Sequence, residues 1–116
     1  MTTSYKILGQ ILPTANTQSN VYVVPAATST IVSTITICNQ SSSNANVSIA
    51  VVPATDTLGN KNYIIKSVQL PAADTLILSP GLTLNAASYI TANNGYFSGE
   101  PSTANVSFCV FGVELT

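Results

Sequence analysis

Along this chain, apolar and β-branched residues fall in runs of about five to ten, and within most runs they alternate with polar ones. A period of two sends successive side chains to opposite faces of a strand. The pattern therefore predicts β-structure, and no stretch keeps the spacing of an amphipathic helix. The clearest case is STITICNQSSSNANVSIAVVP, from Ser33 to Pro53, where two alternating arms flank a Ser/Asn tract. From Thr30 to Cys38, Ile31, Ile35 and Ile37 share one face, expected to be core, and Val32, Thr34, Thr36 and Cys38 share the other. Val47, Ile49 and Val51 then alternate with Ser48 and Ala50 up to Pro53, as in a half-buried antiparallel partner.

The remaining runs are bounded by turn residues. Tyr5 to Leu12 stops at Pro13, Val21 to Val24 at Pro25, and Tyr63 to Leu70 at Pro71. Gly59-Asn60 is expected to supply positive φ in the connection before Tyr63, AADT a tight turn after Leu70, Pro80-Gly81 another, and Asn94-Gly95 a strong one. Short strand pieces are expected at Leu76 to Leu78 and twice within LTLNAASYITANN. Lys61 and Lys66 lie in or beside the Tyr63 strand and are read as a solvent face or guarded edge. The last run, Asn105 to Leu115, is apolar on both faces: Val106, Phe108 and Val110 on one, Cys109, Phe111, Val113 and Leu115 on the other. Such a strand sits inside a sheet stack, or covers the core with one face and a neighbouring subunit with the other. About eight short strands separated by turns predict an all-β, single-domain antiparallel β-sandwich of jelly-roll type spanning residues 1–116. No internal sequence repeat or linker divides it.

Composition narrows the function. The chain has 116 residues, enough to bury roughly 65% of its extended surface in one core. Only 6% of residues are charged and the net charge is -1, so Ser, Thr, Asn and Gln must supply the polar surface and little repulsion keeps copies apart. Three Lys and no Arg leave no basic stripe for phosphates, which excludes nucleic acid as a partner. Pro13, Pro25 and repeated Asn, Gln and Ser break the long uncharged stretch, so no membrane-spanning helix is expected. MTTSYKILGQILPTANT lacks the charged and continuous apolar regions of a signal peptide, and the protein is expected to stay where it is made or leave by lysis.

The chemistry of catalysis is sparse. Histidine is absent, which removes the usual general base and commonest transition-metal ligand. Asp56, Asp74, Glu100 and Glu114 are scattered, and there is no Trp to line a carbohydrate cleft. The expectation is no enzyme, no catalytic residue, no metal and no cofactor. Asp56 and Asp74, each followed by Thr, read as loop residues bonding nearby N–H groups, with Ca²⁺ as the alternative. Asn39, Asn46 and Asn105 head Asn-x-Ser triplets, read as chance matches. Tyr5, Tyr22, Tyr63, Tyr89 and Tyr96 suit strand packing, with Tyr96-Phe97 as the exposed pair. Cys38 and Cys109 read as small buried hydrophobes, with a mutual bridge open if their strands are neighbours.

Taken in order, AATSTIVSTITICNQSSSNANVSIAVVPA, NKNYIIKSVQLPAADT, LTLNAASYITANN and ANVSFCVFGVEL resemble small β-sandwich virion proteins of tailed bacteriophages, including phages of cyanobacteria. The resemblance covers nearly the whole chain, and its motifs are structural. It departs in having no Arg and in Asn85 and Ser88 where acidic turn residues are expected, which counts against charge-mediated docking. The resemblance implies a capsid decoration or cement protein on the virion surface, a homotrimer whose partners are itself and the major capsid protein. A tail-fibre, neck or adhesin module reading host glycans through the loop from Asn93 to Asn105 is the alternative it implies.

Overall fold

The structure, a computed structural model, describes residues 2–13, 17–96 and 105–116. Nine strands appear in them: β1 (Thr3–Ile11), β2 (Ser19–Val23), β3 (Ser29–Asn39), β4 (Ala45–Val52), β5 (Tyr63–Leu70), β6 (Thr75–Leu78), β7 (Leu82–Leu84), β8 (Tyr89–Tyr96) and β9 (Val106–Leu115). The one helical element among the described residues is a single 3-10 turn, Asn60–Asn62.

All strand pairs are antiparallel and form two sheets. The first runs β1-β9-β3-β6, with β7 also beside β3; the second runs β2-β8-β4-β5. Strands β6 and β7 pair with opposite ends of β3 and share one place in the sheet, interrupted at residues 79–81, where Gly81 takes φ +63. With those two counted as one, the order is that of an eight-stranded jelly roll, so the expected fold is met and the strand count differs by this one break.

The core lies between the sheets. Val32, Ile35, Ile37, Val106, Phe108 and Val110 from the first meet Val47, Ile49, Ile90 and Ala92 from the second, all fully buried. Burial of this apolar surface is the main stabilising term.

Strand β3 departs from its expected faces. Ile35 and Ile37 are core, but Ile31 is 40% exposed and Val32 has taken the inner position. A bulge between Val32 and Thr34 inserts Ser33, whose hydroxyl donates to the Phe111 carbonyl at 3.2 Å. One extra residue reverses the in-out sequence beyond it.

Two expected turns also shift. Asn94-Gly95 continues β8, opposite Val47 and Asn46, because the β4 ladder runs on to Ala45↔Tyr96 and outweighs the local preference. Gly59 is extended at φ -152 and caps the 3-10 turn, while the left-handed residue of that connection is Thr55, φ 68.

Thr55 belongs to a device used four times. Residues 25–28 (PAAT), 53–56 (PATD), 71–74 (PAAD) and 85–88 (NAAS) each place their third residue at positive φ: Ala27, Thr55, Ala73 and Ala87. In three of them the fourth N–H donates to the first carbonyl: Asp56 to Pro53, Asp74 to Pro71 and Ser88 to Asn85. These are type II turns made without glycine.

Candidate interaction surface

The acids resolve into local roles. Asp56 accepts from the Thr57 N–H at 2.9 Å and pairs with Lys61 at 3.3 Å; those two bonds, in that order, hold its carboxyl below the ordinary range. Asp74 accepts from the Thr75 N–H at 2.8 Å. The loop reading of both is met, and they sit beyond opposite ends of β5. Glu100 lies outside the described residues, as do Phe97 and the Tyr96 side chain. Among the described residues no three His, Cys, Asp or Glu side chains gather.

Glu114 enters a cluster that spacing along the chain did not indicate. It is nearly buried on β9, where its Oε1 pairs with Lys6 of β1 and its Oε2 accepts from the Tyr22 hydroxyl of β2. Thr30 Oγ1 lies 2.8 Å from the same Tyr22 oxygen. Because the phenol proton is committed to Glu114, the Thr30 hydroxyl is the donor in that second bond. Burial, then the bond to Glu114, push Tyr22 up to about 12. The bonds from Lys6 and then Tyr22 hold Glu114 below the usual carboxylate range. At neutral pH the tyrosine therefore keeps its proton and the glutamate stays ionised, so the cluster ties the two sheets together and has no proton to exchange near pH 7.

Asn39, the first candidate glycosylation site, is fully buried. Its amide donates to the carbonyls of Ser43 at 2.8 Å, Leu70 at 3.1 Å and Pro71 at 3.2 Å, and its Oδ1 accepts from Ser41 N–H and hydroxyl. It anchors the Ser/Asn loop to the turn after β5, which gives that neutral tract a structural job. Asn105 is exposed and Asn46 half-buried. Tyr22 is core, Tyr63 stacks under Lys66 at 4.9 Å, and Tyr5 stands free, so the described tyrosines form no platform. A cleft of about 270 Å³ between β5 and the β6–β7 connection is lined by Ile64, Ile65, Leu78, Ser79 and Pro80, with no ionisable group.

The cysteines differ from expectation in burial alone. Strands β3 and β9 are neighbours and both thiols are free, the bridge left open as the alternative not being formed; both are half-buried, where full burial was expected, on the outer face of the first sheet.

The surfaces differ most in how their edges are protected. Strand β5, the eight-residue edge of the second sheet, carries exposed Lys66 and a bulge with Ser67 at φ 54, so the guarded-edge reading of that lysine holds. Strand β2 is short, and β6 and β7 are shorter still. Strand β1 is nine residues long and its single lysine is drawn onto Glu114, which removes the usual guard. A bulge at Leu8 leaves Thr3 to Ile7 as a regular run with its outer backbone edge open. Tyr5 (82% exposed) and Ile7 (53%) flank that edge.

The edge continues into the outer face of the first sheet, where the register aligns Tyr5, Val113 and Ile31 in one row and Ile7, Phe111 and Thr34 in the next. Among the described residues no charged side chain falls on this face; Lys6 and Glu114 both point the other way. The sequence marked β9 as apolar on both faces, and among the described residues no third layer covers the outer one. What it did not mark is the unguarded edge, whose signal was a nine-residue strand with one lysine and apolar residues on both faces.

No family model matches the chain, and no curated protein matches it. Among solved structures, a chain in the structure of infectious bursal disease virus, Gx strain, superposes with a TM-score of 0.36 at 9% identity over 97% of this chain. This chain spans 28% of that one, and at such a TM-score the likeness carries no argument.

Proposed function

We propose that this chain is a non-catalytic structural subunit of a phage particle: a capsid decoration, or cement, protein that assembles as a homotrimer and seats on the major capsid protein at the outer surface of the head. The observation behind the reading is the charge-free outer face of the first sheet running into the unguarded β1 edge. An open strand edge flanked by apolar side chains is a template for a second protein. A contact without charges matches a chain that has almost none, and symmetry multiplies shallow contacts into firm attachment. Jelly rolls serve viral capsid and lectin domains alike, so the fold accommodates the role without deciding it. The sequence resemblance supplies the phage setting and the trimer.

The test is composition and location in purified particles of the encoding phage. Quantitative mass spectrometry is expected to give a copy number comparable to that of the major capsid protein, with cryo-EM density on the shell. A handful of copies at the tail would overturn the decoration role in favour of a glycan-reading adhesin module.

A further inference from the structure

Cys38 and Cys109 occupy adjacent strands in a register that pairs Cys38 with Ser107 and Thr36 with Cys109, so the two thiols are diagonal neighbours on the outer face of the first sheet. Both are free and partly exposed. Diagonal neighbours in an antiparallel pair stand about 7–8 Å apart, beyond the roughly 4.4–6.8 Å between Cα atoms that a disulfide spans. A direct S–S bond therefore requires the strands to move, and both are central strands of the sheet.

A bridging cation requires less movement. Metal–thiolate bonds are about 2.3 Å long for zinc, and a linear S–metal–S unit with bonds of that order separates its sulfurs by roughly 4–5 Å, a span that diagonal side chains reach from a fixed backbone. No third Cys, His, Asp or Glu joins the pair among the described residues, so the tetrahedral set that zinc takes in structural sites is not assembled here. Two thiolates and nothing else suit a soft ion content with two ligands. The Gln10 amide donates to Cys109 Sγ at 3.4 Å, which fixes that sulfur on the outer face beside β1.

We propose that Cys38 and Cys109 form a two-coordinate site for a soft monovalent cation of the Cu(I) type. Each thiol gives its proton to solvent and its sulfur lone pair to the ion; two S–H bonds break, two S–metal bonds form, and no electron is transferred. The site shares the outer face with Val113, four residues along β9, and the inference does not rest on the proposed role on a particle.

The test titrates the fully reduced, full-length chain with Cu(I) against a chromophoric Cu(I) chelator in the absence of oxygen. Expected are one Cu(I) per chain, a thiolate-to-copper charge-transfer band in the ultraviolet, and binding roughly 100-fold or more weaker in Cys38→Ser and in Cys109→Ser, since each loses half the donor set. Far-ultraviolet circular dichroism checks that both variants fold. If either does not, wild-type chains alkylated at a single thiol and sorted by mass make the same comparison. Copper left entirely with the chelator, equal affinity in a single-thiol form, or one copper shared between two chains would each overturn the site.

Discussion

Tyr22 and Glu114 make the fold sensitive to pH at both extremes, with opposite signs. Glu114 is held low in the folded chain, so its contribution is complete above its unfolded value near 4.5 and is lost as pH falls through the folded value. Tyr22 is raised from 10.0 to about 12, so its contribution is complete below pH 10 and is lost as pH rises toward 12. Tyr22→Phe removes the oxygen that both effects share. It is expected to cost about 1–3 kcal/mol at neutral pH, to abolish the alkaline limb of the stability–pH curve and to shrink the acid limb only in part, because Lys6 still holds Glu114 low, measured by denaturant unfolding. At the turns, Ala87 sits at φ 70, a conformation that strains a Cβ. Ala87→Gly relieves it and is expected to raise stability by about 0.5–1 kcal/mol, read as a higher thermal midpoint.

Strands show what the sequence could and could not display. The Tyr63–Leu70 strand and its guarding Lys66 were legible, because run length, a bounding proline and an exposed lysine are local signals. The inner faces of β4 and β9 were legible from alternation. Ile31 was misassigned because the bulge at Ser33 is fixed by partners far along the chain: β9 on one side and the interrupted β6–β7 position on the other. Asn94-Gly95 was misassigned because a two-residue turn signal competes with a ladder partner more than forty residues away, and the ladder won. The Lys6–Glu114–Tyr22 cluster had no signal, since its members meet only when β1, β9 and β2 have been placed. The crossing of β1 over β2 depends on Gly9, where a Cβ would fall inside contact distance of the Val21 backbone carbonyl. Gly9→Ala is expected to destabilise by about 1–3 kcal/mol, because overpacking against backbone forces the sheets apart. Denaturant midpoints with an unchanged m-value check it.

At the scale of the molecule, the described strands of the jelly roll leave four edges, of which three are protected: by shortness at β2, by interruption at β6 and β7, and by Lys66 with its bulge at β5. The fourth, β1, joins an outer face without charge. That asymmetry carries the proposed docking, in which the longest and least guarded edge meets another protein. Ile7→Lys restores a guard where the core is untouched and is expected to weaken assembly at least tenfold, with the thermal midpoint of the isolated chain nearly unchanged. Hydrogen exchange on the assembled protein tests the claim most directly. The account predicts that the outward amides of β1, fast in the isolated wild-type chain and in Ile7→Lys, become as protected in the assembly as those of β3 and β9. Protection that appears instead along β5, with β1 still exchanging as a free edge, would contradict it.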